Sequence, residues 1–318
     1  MASVTVPDLP VLRHELLALL ACPEDHGVLV GWDGAAPDAT LVCAVCGQTF
    51  PVTDGLPRLL PDGLREGAEE SPPAPNSGSA RLQEGEWLAD LSDPPRIGGG
   101  GGHSSADDEK KREIAARDEQ AADYDRMLGL RLFSIPEIPL TLRYLALEPG
   151  HLLLEGGCGT GRMTPAFAAR TRGVVCVDFS AESLRAARAK LPPELAARVL
   201  FIQADLSRLP LRDGVFDRVG SFQVLEHLPT HDTRARAVAE MARVLKGRRE
   251  GGRFAFSAYR WGPPVSWLAA KQGHHEGGIP FFRATWPEMG DLLRPYFAVK
   301  QHTGALLYHF LVWGRKHL

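Results

Sequence analysis

No run in the 318 residues is long and apolar enough to suggest a membrane span, and the N-terminus lacks the basic start of a secretion signal. The most apolar early stretch, VLRHELLALLAC, is broken by Arg13, His14 and Glu15. The expected location is therefore the cytoplasm, with no membrane partner. Cysteine is scarce. There are five, an odd number, and Cys22, Cys43 and Cys46 share one short segment. That argues against a disulfide framework and for a metal site in a reduced compartment. No internal repeat is visible. The composition, 44% hydrophobic and 24% charged, is that of a globular chain with one full-sized domain and something smaller.

Charge is segregated beneath a net value of −3. Residues 1–60 hold two Lys/Arg against seven Asp/Glu, residues 61–120 seven against fourteen, and residues 121–318 twenty-seven against eighteen. The two acidic parts are expected either to dock on the basic one or to leave it a surface for a polyanion. Between them, SPPAPNSGSA and SDPPRIGGGGGHSS are too rich in Pro, Gly and Ser to bury a core. Residues 62–108 therefore read as a flexible linker between a domain at 1–61 and a domain at 109–318, with WLADL as a short docking element inside it.

After the linker, apolar runs HLLLE, GVVCVD, VLFIQ, DRVGSF and GRFAFSA alternate with helical text such as SAESLRAARAKL and DTRARAVAEMARVL. Strand and helix alternating five times predict an α/β fold whose parallel sheet is covered on both faces. A capping box at Thr285 and Glu288 opens a last helix, and two closing strands follow.

The chemistry lies in LLLEGGCGTGRM, a strand running through glycines into a helix. Gly157, Gly159 and Gly161 form G-x-G-x-G. Arg162 breaks the dinucleotide fingerprint G-x-G-x-x-G, which disfavours a nicotinamide enzyme. Glu155, Asp178 and Asp205 stand at three successive strand ends with no phosphate-binding Lys, a pattern suited to a nucleoside with a positive centre. Asp217 reads as a turn residue before the fourth strand, and Cys158 and Cys176 as small apolar residues.

LLLEGGCGTG, VVCVDFS, ADLSRLPLRDGVFDRVGSFQVLEHL and RVLKGRREGGRFAFS, in that order, resemble the class I S-adenosylmethionine-dependent methyltransferases over roughly residues 115–315. The resemblance implies a Rossmann-like seven-stranded sheet. It also implies cofactor roles: Glu155 and the three glycines for the methionine part, Asp178 with Phe179 for the ribose, Asp205 with Leu206 for the adenine, Gln223 below the sulfonium, and Tyr124 folded over the cofactor. Glu155 stands where Asp is usual, and KGRREGG carries an insertion. No general base follows from these motifs. Tyr124, His227, Tyr259, His274 and His275 are candidates for the acceptor side, His227 also reading as a residue that orders its turn.

The N-terminal segment holds Cys43-Ala-Val-Cys46, a spacing that lets two thiolates reach one ion, and Cys22 offers a third. Asp25 lies at the C-x-x-C spacing from Cys22 and His26 one residue later. Imidazole is the more usual fourth partner for three thiolates, so Cys22, His26, Cys43 and Cys46 are the expected zinc ligands, with Asp25 as the alternative. Residues 12–61, from the CP start to FPVTDGLPRLLP, resemble the small zinc-binding activator subunits of transfer-RNA methyltransferases. That implies a β-rich activator-like module fused to its enzyme and docked on it.

The resulting expectation is a methyltransferase acting on an O, N or C atom of a small molecule. FQVLEHL and the tail RATWPEMGDLLRPYFAV look like the metabolite branch, and no Asn/Asp-Pro-Pro-Tyr motif is present. Methylation of RNA or a translation factor is the alternative. A non-catalytic protein that binds the cofactor and zinc is the rival from another class.

Overall fold

The computed structural model describes residues 9–65, 106–120, 128–275, 278–303 and 308–317. The N-terminal module begins with α1 (Leu9–Leu17) and continues as an antiparallel meander of β1 (Leu29–Val30), β2 (Ala39–Cys43), β3 (Thr49–Thr53) and β4 (Leu56–Pro57). The β3–β4 turn follows from its residues. Thr53 pairs with Leu56, leaving Asp54 and Gly55 as a two-residue loop with φ of 52° and 70°. A tight hairpin needs positive φ at both positions, and an Asp-Gly pair supplies it at least cost. A short helix, α2 (Asp62–Arg65), closes the module.

The larger part begins with α3 (Ala106–Gln120) and α4 (Leu128–Leu145) and then alternates: β5 (Leu152–Gly156), α5 (Thr164–Ala168), β6 (Gly173–Asp178), α6 (Ala181–Ala189), α7 (Pro193–Ala196), β7 (Val199–Gln203), β8 (Arg218–Phe222), α8 (His231–Val244) and β9 (Arg253–Tyr259). Then come α9 (Val265–Leu268), a hairpin of β10 (Gln272–His274) and β11 (Pro280–Phe282), α10 (Trp286–Leu293), β12 (Phe297–Thr303) and β13 (His309–Lys316). The seven-stranded sheet has the order β12-β13-β9-β8-β5-β6-β7, parallel except around β13. Strands β5, β6 and β8 are buried at every residue, as expected of strands covered on both faces. The expected capping box forms, with Thr285 Oγ1 accepting from Glu288 N and Glu288 Oε2 accepting from Thr285 N. Asp217 takes its turn role: its carboxylate accepts from Leu152 N at 2.8 Å and from Lys246 Nζ at 2.7 Å.

The module and the sheet share one core. Leu12, Leu16, Leu20, Phe50 and Leu59 pack in the same cluster as Leu152, Val175 and Ile202. Strand β7 is an edge of the seven-stranded sheet, and the chain after β4 pairs with it. Leu59 N donates to Gln203 O at 2.8 Å, and Arg58 Nε donates to Gln203 Oε1 at 2.8 Å. Part of an edge that would otherwise offer free backbone groups is thereby covered. The predicted charge complementarity runs across this junction: Glu15 faces Arg172 at 2.9 Å, Glu24 faces Arg208 at 3.7 Å and Asp54 faces Arg185 at 4.0 Å. Such exposed pairs contribute little each, so the buried leucines hold the junction and the charges orient it. Among the described residues no helix is long and apolar enough to cross a membrane.

Candidate functional site

The strand order reverses between β8 and β5, and the crevice outside the carboxyl ends of parallel strands at such a point is where ligands bind. A cleft lies there, open to solvent at its mouth. Gly157, Gly159, Asp178, Phe179, Asp205, Leu206 and Gln223 line it, so seven residues chosen from sequence meet in one cavity.

The glycine loop divides its labour. Gly157 has φ 70°, and a Cβ there would sit 2.3 Å from the Val224 side chain. Gly161, at φ 81°, packs on Ala187 of α6, where a Cβ would come within 2.9 Å. Gly159, at φ 52°, would meet nothing within 4 Å and faces the open cleft. Two glycines thus permit close packing and the third leaves room for a ligand. Asp178 fixes the loop, its Oδ2 accepting from Gly159 N at 2.8 Å and its Oδ1 from Ser180 N at 3.0 Å. Burial pushes the Asp178 carboxyl upward, and the two N–H groups oppose that shift. Asp205 accepts from Ser207 N and Ser207 Oγ, both at 2.8 Å, and from Lys110 Nζ.

Gln223 follows β8 with φ +60°, a left-handed conformation that a non-glycine residue adopts only when its surroundings enforce it. Its N–H is tied to Ser257 O at 3.0 Å, and its Nε2 lies 3.5 Å from Glu137 Oε2, which Arg162 Nη1 holds at 2.7 Å. His227, next along the cleft, is buried, and its Nδ1 lies 2.9 Å from Pro280 O. A carbonyl only accepts, so Nδ1 carries the hydrogen and Nε2 the lone pair. Burial holds the ring well below the usual histidine range, so it is neutral at pH 7.

Two expectations change. Glu155 does not line the cleft. Side chains alternate along a strand, and this carboxyl is buried behind the loop, where Thr164 Oγ1 donates to it at 2.7 Å and ties the start of α5 to β5. Burial pushes it up to about 7. Gly161 likewise serves packing. Tyr124 lies outside the described residues, as do WLADL and most of the 62–108 linker. His274 is exposed on β10, whereas Tyr259 and His275 are half-buried beside His227, with ring centroids 5.8 and 5.6 Å from it.

Sequence reasoning missed Lys110, Glu113 and Arg117 of α3, and Leu64 of α2, all of which line the cleft. The charged text of α3 carries no apolar stripe to announce a buried face. Glu226, beside His227, is buried, which pushes its carboxyl up to about 8, with N–H groups of its own residue and Tyr259 opposing. The folded state therefore keeps a proton that the unfolded chain releases near pH 4.5, and stability contributed here declines as pH rises from about 4.5 to about 8. Glu226→Gln is expected to flatten that slope in thermal unfolding followed from pH 5 to 9. An unchanged slope contradicts the assignment.

In the module, one ligand atom each of Cys22, Asp25, Cys43 and Cys46 lies within 4.8 Å of the others. The fourth member is Asp25, not the expected His26. His26 has a left-handed φ of 58° and is exposed, while Asp25 Oδ1 lies 3.3 Å from Cys43 Sγ and accepts from Gly27 N at 2.8 Å. The C-x-x-C spacing fixes which side chain turns inward, and it outweighs the general preference for imidazole. The set fits zinc. Cys22 and Cys46 sulfurs are 3.8 Å apart, the separation that Zn–S bonds of about 2.3 Å give in a tetrahedron. Backbone N–H groups of Glu24 and Val45 point at Cys22 and Cys43 sulfurs at 3.4 Å, as suits thiolates.

With this geometry in place, residues 154–256 match the family described as "Methyltransferase domain", and residues 13–55 match "Trm112p-like protein". The chain is built on a methyltransferase domain. A Mycobacterium tuberculosis protein designated a probable S-adenosylmethionine-dependent methyltransferase is 41% identical over 95 residues, 30% of this chain and 32% of that protein. Malonyl-[acyl-carrier protein] O-methyltransferase of Geobacter sulfurreducens is 36% identical over 141 residues, 44% and 49% of the two chains. The chain thus spans between about a third and a half of the length of these curated relatives. In fold it is similar to a chain in the complex of the Haloferax volcanii Trm112 methyltransferase activator with a methyltransferase, at TM-score 0.51 and 19% identity, covering 64% of this chain and 98% of that one. The methyltransferase domain and the Trm112p-like module are therefore one polypeptide here.

Proposed function

We propose that the protein is an S-adenosylmethionine-dependent methyltransferase whose acceptor is a small molecule. The observation that carries the reading is the cleft at the switch point, where Gly159, Asp178 and Asp205 converge with Gln223. When bound, S-adenosylmethionine supplies an electrophilic methyl on a sulfonium; transfer breaks the S–CH3 bond, forms the CH3–acceptor bond and releases a proton from the acceptor. Asp178 would accept from the ribose hydroxyls, Asp205 and Leu206 would flank the adenine, and Gly159 would admit the methionine part. The work left to the chain is alignment of the acceptor and removal of its proton.

His227 is the residue we assign to that proton. It lines the cleft beside Gln223, is neutral, and has its tautomer fixed by Pro280 so that Nε2 is the basic atom. His227→Gln is expected to lower kcat by roughly a hundredfold, the usual order for loss of a positioned base, while leaving the dissociation constant for S-adenosylhomocysteine unchanged. A variant with full kcat contradicts the role. Calorimetric titration of the full chain with S-adenosylhomocysteine tests the broader reading: one site per chain supports it, and no binding overturns it.

The metabolite reading draws support from the acceptor side. It would be the half-buried rings of Tyr259 and His275 beside His227, whose faces suit a conjugated metabolite better than a phosphate backbone. The Trm112p-like match favours the second reading, an RNA or translation-factor acceptor, with the module as built-in activator. In either reading the module would stabilise the domain by covering β7 and would place Leu64 at the cofactor cleft.

A further inference from the structure

Arg283, which follows β11, is fully buried. Among the described residues its guanidinium has only neutral partners: Nη1 donates to Ala270 O, Nη2 donates to the Tyr308 hydroxyl at 2.7 Å, and the buried Nε has no hydrogen-bond partner. The rings of Phe281, Tyr308 and Tyr259 lie 4.3, 5.5 and 5.7 Å from its central carbon. Among the described residues no carboxylate pairs with it. A guanidinium cannot shed its charge, and buried charges in proteins are normally paired. Aromatic faces reduce the cost of burial without neutralising it.

These rings lead to the cofactor cleft. Tyr259 lies 5.8 Å from His227, which lines the cleft, 6.0 Å from His275 and 5.3 Å from His309. Of the described carboxyl groups near these rings, Glu226 is pushed up to about 8 by burial, and Glu137 is engaged by Arg162.

We propose that Arg283, with the rings of Tyr259, His275 and Tyr308, forms the acceptor subsite of the methyl transfer, and that this subsite takes a flat, conjugated acceptor bearing a carboxylate. The ring faces select planarity, and the guanidinium, with Nε still to be matched, selects the acid. The inference rests on the methyltransferase reading, because it makes the cleft beside His227 the source of the methyl group.

The test is titration of the full chain, saturated with S-adenosylhomocysteine, with 4-hydroxybenzoate and with 4-hydroxybenzamide, which share shape and hydroxyl but not charge. The acid is expected to bind at least about tenfold more tightly, as a charge-assisted pair does over a neutral one. Arg283→Met should abolish the difference, and Arg283→Lys should retain part of it. Because a buried arginine can be needed for folding, each variant is first checked for S-adenosylhomocysteine binding, and the parent comparison decides if Arg283→Met is unfolded. Equal binding of acid and amide, no binding of either at millimolar concentration, or a preference that survives in folded Arg283→Met overturns the proposal. A chain that binds S-adenosylhomocysteine but shows no preference loses only this inference, whereas one that binds no S-adenosylhomocysteine loses the methyltransferase reading itself.

Discussion

Asp178→Ala is expected to weaken binding of S-adenosylhomocysteine by roughly a hundredfold or more. Two effects combine at this carboxylate. A ribose diol donating to it would make two charge-assisted hydrogen bonds, each contributing about 1.5 kcal/mol or more. The carboxylate also accepts from Gly159 N at 2.8 Å and Ser180 N at 3.0 Å, so its removal loosens the glycine loop before any ligand arrives. A loss of about 3 kcal/mol corresponds to that hundredfold change. Calorimetry on the variant, with its thermal midpoint as a control for folding, is the check. Unchanged affinity in a folded variant would remove the cofactor assignment.

Cys43→Ala is expected to produce the largest change in stability. It deletes a ligand at the centre of the cluster, buried between β2 and the Asp25 turn. Structural zinc contributes directly to folding, and here the module it holds shares its core with the large sheet through Leu12, Leu16 and Leu59. Loss of the ion should therefore reach the whole chain. The expected result is less than stoichiometric zinc by elemental analysis and a thermal midpoint lower by about 10 °C, equivalent to a few kcal/mol. Asp25→Ala should also lose zinc, whereas His26→Ala should keep one ion per chain. If His26→Ala emptied the site while Asp25→Ala kept it, the ligand set read from the structure would be wrong.

The alternating strands were legible in sequence because each is a short apolar run bounded by turn residues, and such runs at β5, β6, β7, β8 and β9 match the sheet closely. The acidic residues at the strand ends were legible for the same reason, since a position one step past an apolar run is a position over the crevice. Glu155 shows where this logic fails: like Asp178 it lies within its strand, but its side chain turns toward Thr164 and away from the cleft. Helix α4 escaped reading because Pro136 and Pro139 interrupt any helical pattern. The β10–β11 hairpin escaped because its three-residue strands carry no periodicity. Arg283 could not be found from sequence, since its burial depends on rings from three separated segments. His26 was favoured over Asp25 by ligand chemistry alone, and backbone geometry decided otherwise.

The most direct measurement of the activity is transfer of a labelled methyl group from S-adenosylmethionine by the full chain in a cell extract, followed by separation of small molecules, RNA and protein. Label is expected in the organic-soluble fraction, enriched among acidic aromatic compounds. Label confined to RNA and lost on ribonuclease treatment, or no transfer to any fraction by a chain that binds the cofactor, would contradict it.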